Sequence, residues 1–173
     1  SGDLDSAYKS AVSVTSSSNL IVEEFLEGYE IGAQAVIIGD ELKELFVHDD
    51  KVTPPPVSVP IGHSIPVDLK NSTSIKIRNN ISRAIKALGI MNTVSNIDIM
   101  LSDDDAYILE VGARMGATCL PENVSIYSGI DMYQLIIELS LGKNPCIPTL
   151  YGGTANASEL ICAKKTGVLS SIN

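Results

Sequence analysis

The sequence predicts an α+β fold in which a mainly antiparallel sheet is flanked by helices. Two stretches of strand-like alternation are each interrupted by a short turn, at 39–40 and at 103–105, which is the pattern of β-hairpins. Elsewhere, apolar residues recur three and four positions apart, as they do in helices packed on a sheet. With 173 residues, folding can bury about 70% of the surface of the unfolded chain, enough for one core or for two lobes.

The first third of the chain predicts a helix followed by antiparallel strands. Asp3 can cap a helix with an apolar stripe, and a strand is expected over 20–28. Two further strands, over 30–38 and 41–47, are separated by Gly39-Asp40, a pair suited to a two-residue type II′ turn.

The remaining elements follow from prolines, glycines and helical periodicity. Five prolines fall within 48–68, which predicts a long loop because proline interrupts both helices and central strands. Helices are expected over 72–88 and 132–142, each with an apolar stripe and a glycine at its end. The last residues, 157–172, predict two strands joined by a turn.

The composition is that of a folded, acidic protein. Hydrophobic residues make up 45% of the chain, and 21 Asp and Glu against 12 Lys and Arg give a formal net charge of −9. The aliphatic content excludes intrinsic disorder, and the lack of clustered Lys and Arg argues against partners that are nucleic acids or anionic membranes. An anionic ligand must therefore be met by a few placed cations or by a metal ion.

Cysteine usage and apolar runs indicate the compartment. Cys119, Cys146 and Cys162 have no paired spacing, which predicts buried free thiols in a reducing compartment. No apolar stretch reaches the roughly 18 residues needed to cross a membrane, and no basic segment leads into an apolar signal. We therefore expect a cytoplasmic location.

The second hairpin carries two acidic residues that the turn brings together. If the loop is 103–105, counting outward places Asp98 directly opposite Glu110, with Cβ atoms about 4.5–5.5 Å apart. Facing carboxylates repel each other unless a cation lies between them. Two alternatives stay open: a loop that differs by one residue would turn one acid to solvent, or a Lys or Arg would pair with both.

Small residues follow this hairpin. Residues 111–117 include two Gly-Ala pairs, small residues that let the backbone approach a ligand, and Arg114 is the cation among them. Paired acids for Mg²⁺ beside an arginine and exposed backbone amides are the parts that a nucleoside triphosphate site requires.

Three segments, in order, resemble motifs of the ATP-grasp ligases. The resemblance is to the group that joins carboxylates to amines, which includes the amino-acid ligases and is similar to the carbamoyl-phosphate synthase large chain. The segments are 21–30 (IVEEFLEGYE), 96–99 (NIDI) and 108–114 (ILEVGAR). The resemblance implies the C-terminal part of an ATP-grasp fold, with 1–27 in the small lobe and 28–173 as the large lobe.

The resemblance also implies a nucleotide site for ATP. Glu23 and the backbone of Glu24 and Leu26 would lie along the adenine, and Glu30 would hold the ribose hydroxyls. Lys51 would meet a phosphate or a substrate carboxylate. The alternatives are that the first two glutamates are strand-edge charges and that the lysine is a solvated loop residue.

The remaining roles implied by the resemblance concern metal and chemistry. Asp98 and Glu110 would bind Mg²⁺ or Mn²⁺, and Arg114 would be catalytic by steadying the transferred phosphoryl group or the acyl phosphate. His63 would contact the substrate; a hydrogen-bonded structural histidine is the alternative.

As a whole, the resemblance implies an ATP-dependent ligase that activates a carboxylate as an acyl phosphate and joins it to an amine. Both substrates would be small molecules, and a homodimer is a compatible assembly. Family members carry a substrate domain, two lysines and a Gly-rich loop ahead of the position of Ser1, so we expect the chain alone to be inactive. Two other classes stay open: a non-catalytic nucleotide-binding module on the same scaffold, and a structural domain with an acidic surface hairpin.

Overall fold

The computed structural model of the chain describes residues 3–17, 19–54, 59–103, 105–148, 152–163, 165–168 and 170–171. The elements, in chain order, are α1 (Leu4–Val14), β1 (Tyr29–Ile38), β2 (Glu41–Val52), β3 (Pro60–Ile65), α2 (Asn71–Leu88), β4 (Thr93–Ser102), β5 (Asp105–Gly112), α3 (Leu120–Ser128), α4 (Met132–Ser140) and β6 (Asn156–Glu159). The strands form one antiparallel sheet in the order β5-β4-β1-β2-β3-β6. This confirms the predicted fold class. In the described ranges, no helix combines the length and the apolar character that a membrane span requires.

One face of the sheet packs against α2. Alternate residues of β1 and β4 meet the apolar stripe of the helix on this face. The buried residues of this core are Ile31, Ala33, Ala35, Ile37, Ile77, Ile81, Ile85, Ile97, Ile99 and Ala106. The predicted helix is therefore confirmed, and Gly89 ends it in the left-handed conformation (φ +66°), which glycine adopts without steric cost.

The opposite face of the sheet is divided into an apolar half and a polar half. The apolar half packs against α3 and α4, and its buried residues are Val36, Phe46, Ile65, Val94, Val124, Met132, Leu135 and Leu139. The predicted helix α4 begins as expected, with the Asp131 side chain accepting from the backbone N–H of Gln134. Helix α3 was not predicted; its N-cap, Cys119, makes no side-chain capping bond, so the sequence carries no capping signal there.

The N-terminal segment differs from its prediction. Asp3 caps α1 as expected, but no residue of this helix is buried. Residues 20–28 form no strand, and Ile21, Val22 and Phe25 are each more than 80% exposed. No described strand pairs with this segment, so its backbone groups lack the ladder partners that alternation alone cannot supply.

The proline-rich segment also differs from its prediction as a loop. β2 continues to Val52, and β3 lies inside the sheet between β2 and β6. Pro60 is accommodated because it is the first residue of its strand, and Pro66 follows the last one. The prediction for 55–58 lies outside the described residues.

The C-terminal prediction is half correct. β6 is present, but the described residues after it, 160–163, 165–168 and 170–171, contain no second strand. The three cysteines are free, as predicted, but exposed instead of buried.

Candidate functional site

Polar side chains from four neighbouring strands meet on the polar half of the sheet. Ladder pairs place Glu110 beside Asp98, Asp98 beside Gly32 and Gly32 beside His48. Gly32 is required there, because a Cβ on it would lie 2.0 Å from Cε1 of the His48 ring. A cavity of about 190 Å³ opens above this row and is bordered by residues of β2, β3, β4, β5 and the loop before α3.

The predicted pairing of Asp98 with Glu110 is present, although the hairpin loop is shorter than predicted. Ser102 pairs with Asp105, and Asp103 takes up the left-handed conformation (φ +54°). This shift by one residue would separate the acids, but a bulge in the ladder between Asp98 and Ile99 restores their register.

The two acids are not neutralised within the described residues. Asp98 is partly buried and accepts one hydrogen bond, from Nδ2 of Asn96 (3.0 Å). Burial raises the pKa of Asp98, and the charges of Asp50 and Glu110 add to this. No described Lys or Arg forms an ion pair with either acid. Carboxylate oxygens held in this way are the ligands that Mg²⁺ and Mn²⁺ prefer.

Arg114 borders the same cavity as the acidic pair. Its guanidinium is exposed and donates to the carbonyl of Met115 (3.1 Å), and no described carboxylate pairs with it. Its own carbonyl accepts the backbone N–H of Asn96 (2.8 Å), which ties the loop to β4. A cation is thus held beside two carboxylates without cancelling their charge.

A second polar cluster lies in β2 and β3 and consists of His48, Asp50 and His63. The His48 Nδ1 atom is 2.8 Å from Oδ1 of Asp50, and His63 Nδ1 makes a short contact with the same oxygen. All three side chains are at most 5% exposed. Burial alone would raise the pKa of Asp50, but the hydrogen bonds from the two rings outweigh it and lower the pKa to about 2. Ligand atoms of the three residues lie within 4.8 Å of one another, a spacing at which side chains can share a metal ion.

Gln34 joins the two clusters. It is fully buried in β1, and its Nε2 lies 2.6 Å from Oδ1 of Asn96 and 3.0 Å from Nε2 of His48. Its Oε1 accepts the backbone N–H of Gly116 (2.9 Å). A Cβ at Gly116 would lie 2.6 Å from Oδ1 of Asn96, so glycine lets the loop approach this network.

The residues predicted to hold ATP lie in different surroundings. Glu30 is partly buried, and its pKa is raised by burial and then by the charges of Asp98 and Asp50. Lys51 is ion-paired with Glu159 (2.6 Å) at the rim of a second, open cavity of about 600 Å³. Residues 23–26 are irregular, and none of them borders either cavity.

Sequence reasoning missed Gln34, His48, Asp50 and Asn96. The signals were present: Gln34 is a lone polar residue in an apolar strand, and Asn96 lies two residues before Asp98 and therefore on the same face. The same spacing of two holds for His48 and Asp50. It was lost because the strand was expected to end at Val47.

Comparison with known proteins identifies relatives of this chain. Residues 4–118 match the sequence family described as the ATP-grasp domain. Carnosine synthase 1 of Homo sapiens is 24% identical over 130 residues, which is 75% of this chain and 16% of that protein. The carbamoyl phosphate synthase large chain of Methanosphaerula palustris is 28% identical over 148 residues, 82% of this chain and 13% of that protein.

Two solved structures are also similar to this chain. The phosphoribosylglycinamide synthetase of Anaerococcus prevotii superposes with a TM-score of 0.80 at 34% identity, covering 98% of this chain and 45% of that one. The L-amino acid ligase of Bacillus licheniformis has a TM-score of 0.63 at 26% identity, covering 68% of this chain and 30% of that one. The chain therefore spans less than half the length of each of these relatives.

Proposed function

Because the chain belongs to the ATP-grasp domain family, we propose that it is the ATP- and Mg²⁺-binding part of a ligase that activates a carboxylate as an acyl phosphate and joins it to an amine. The observation that carries the proposal is the Asp98–Glu110 pair. The acids face each other across a ladder, they border a cavity, and no described cation neutralises them. A fold that keeps two such charges together loses stability unless a ligand compensates.

The donor set fits a hard divalent cation. Asp98 and Glu110 supply oxygen ligands from adjacent strands, and Asn96 orients the first of them. Bound there, Mg²⁺ would neutralise the charge of the phosphates of ATP. The nearby Arg114 would hold the transferred phosphoryl group, because this residue borders the cavity and its guanidinium has no competing carboxylate among the described residues.

The nucleotide would lie between two lobes, 1–27 and 28–173. Glu30 would accept hydrogen bonds from the ribose hydroxyls at the edge of the polar half of the sheet. Glu23, Glu24 and Leu26 would line the adenine once their segment is held in place, and Lys51 would leave its exposed partner for a phosphate or a carboxylate.

The substrates we propose are a small-molecule carboxylate and a small-molecule amine. The names of the relatives support this choice, since one is an L-amino acid ligase and another a carnosine synthase. The proposal also includes a cytoplasmic location, and it is compatible with a homodimer.

The experiment uses the full-length protein and two measurements. Calorimetric titration with Mg·ADP tests binding, and formation of ADP is followed with ATP, Mg²⁺ and each of the proteinogenic amino acids. We expect Mg·ADP to bind and one or more amino acids to stimulate ADP release. Asp98→Asn should abolish both, while Asp40→Asn, in the exposed turn of the first hairpin, should leave both unchanged.

The outcomes separate the function classes. Mg·ADP binding without amino-acid-dependent ADP release would favour the non-catalytic nucleotide-binding module. Absence of Mg·ADP binding, or binding that Asp98→Asn does not weaken, would contradict the proposal and favour a structural domain.

A further inference from the structure

The orientation of one amide determines the protonation of the buried histidine cluster. The backbone N–H of Gly116 can only donate, so the atom of Gln34 that faces it must be the oxygen. The NH₂ group of Gln34 therefore faces Oδ1 of Asn96 and Nε2 of His48, and it donates one hydrogen to each. The Nε2 atom of His48 must then carry a lone pair.

A histidine with a lone pair on Nε2 carries its hydrogen on Nδ1. His48 therefore donates from Nδ1 to Asp50, and His63 donates from its own Nδ1 to the same carboxylate oxygen. Asp50 is an effective acceptor for both, since its pKa is held at about 2 and it stays ionised. An N–H on Nδ1 of neutral His63 leaves its Nε2 as a base.

That Nε2 atom of His63 is buried and has no hydrogen-bond partner among the described residues. A buried polar atom in this state costs free energy unless a ligand supplies the missing donor. His63 borders the 190 Å³ cavity together with Asp98, Glu110 and Arg114, and it also borders the 600 Å³ cavity.

We propose that His63 is the base that deprotonates the amine substrate, with Asp50 and His48 holding its ring in the required tautomer. The inference rests on the proposed ligase function. A carboxylate that accepts from Nδ1 and leaves Nε2 free is the arrangement by which a histidine is oriented and made more basic. Gln34 and Gly116 are positioning residues, because they fix the tautomer of His48.

The proton balance of the step is complete. An amine reaches the site as an ammonium ion, and one of its N–H protons passes to Nε2 of His63. The freed electron pair forms the C–N bond at the acyl carbon, the C–O bond to phosphate breaks, and the second N–H proton leaves with the phosphate. Amide, inorganic phosphate and protonated His63 result, and His63 releases its proton to solvent.

A shared metal ion at this cluster is the competing reading of the same residues. Metal ligation through Nδ1 of His48 would require that atom to lose its hydrogen, but the amide of Gln34 already donates to Nε2. The ring cannot satisfy both demands as a neutral imidazole. The hydrogen-bonded arrangement is therefore favoured.

The first experiment tests the tautomer on this chain without any substrate. Long-range ¹H–¹⁵N spectra distinguish the two ring nitrogens of each histidine, and a His63→Gln variant assigns the signals. At about pH 8 we expect hydrogen on Nδ1 and a lone pair on Nε2 for His63. Hydrogen on Nε2, or Zn²⁺ at equimolar amounts shifting both rings, would overturn the proposal.

The second experiment separates the base from the rest of the ligase with two nucleophiles, using the full-length protein and an acid that supports ADP release. Hydroxylamine is largely unprotonated at about pH 8, so it needs no base, whereas an amino acid arrives as an ammonium ion. For His63→Gln we expect kcat with the amine to fall about 100-fold or more and hydroxamate formation to stay within about threefold. Added imidazole should restore part of the amine reaction in His63→Ala.

The outcomes distinguish the two claims. Equal losses of kcat with both nucleophiles would overturn the proposal that His63 is the base and would assign it to carboxylate activation. A rise in KM for the amine with kcat unchanged would make it a binding residue only. Failure of the wild type to form hydroxamate with any acid would count against the ligase function itself.

Discussion

Asp50 and Asp98 lie on the same face of the sheet, in adjacent rows of paired residues. Their surroundings nevertheless shift the pKa values of the two carboxyl groups in opposite directions. Asp50 accepts two ring N–H groups and its pKa is lowered to about 2. Asp98 accepts a single amide hydrogen bond, and burial and two neighbouring carboxylates raise its pKa. The contrast teaches that one carboxylate is compensated by the fold and the other is kept for a cation from outside.

Removing the compensated carboxylate should have the largest effect on stability. Asp50→Ala would leave two buried ring N–H groups without an acceptor, at about 1–3 kcal/mol each, so we expect a loss of about 3 kcal/mol. Urea denaturation of the chain measures this, with Asp40→Ala as the exposed control. A loss below about 1 kcal/mol would show that the cluster does not depend on Asp50.

Lowering the pH should change the contributions of Asp50 and Asp98 to the free energy of unfolding in opposite directions. In the folded chain the pKa of Asp50 lies below its ordinary value of 3.8. The stabilising contribution of this carboxylate is therefore present above pH 3.8 and is lost as the pH falls towards 2. Each pKa unit corresponds to about 1.4 kcal/mol, which gives a loss of about 2 kcal/mol for wild type relative to Asp50→Asn.

For Asp98 the folded pKa is raised, so its contribution is present below pH 3.8 and is lost as the pH rises through the folded value. Asp98→Asn should therefore be more stable than wild type at neutral pH, and the advantage should disappear in acid. Denaturation of the three chains between pH 7 and pH 2 checks both signs. Parallel curves for wild type and both variants would contradict the contrast.

The smallest effect is expected at the second acid of the pair. Glu110→Gln removes a like-charge contact from an exposed ladder position and should stabilise the metal-free chain by a few tenths of a kcal/mol to about 1. Added salt should reduce the gain, because salt screens exposed charges. A loss of stability would point to a donor to Glu110 that the described contacts do not include.

Local signals in the sequence predicted much of the fold. The turn at Gly39 fits the prediction, since its φ is +62° and β1 and β2 flank it directly. The capped helices α1 and α4 and the glycine-terminated α2 were also correct. These features depend on residues within a few positions of each other, which is why the sequence alone specifies them.

Longer-range features were predicted only in part. Asp98 was placed opposite Glu110 by counting from a loop that is one residue too long, and a ladder bulge compensates for the error. The strand over 20–28 was wrong because alternation does not provide a partner strand. The meeting of Asp50 with His63 depends on β3, which its flanking prolines disguised.

The central claim is that the Asp98–Glu110 pair holds a divalent cation with its nucleotide. The most direct measurement is binding of Mn²⁺, with and without ADP, to the full-length protein, followed by electron paramagnetic resonance of the free ion. We predict that ADP tightens Mn²⁺ binding in wild type and in Asp40→Asn, and that the combined change of Asp98→Asn and Glu110→Gln abolishes the ADP-dependent site. Unchanged Mn²⁺ binding in that double variant would contradict the account.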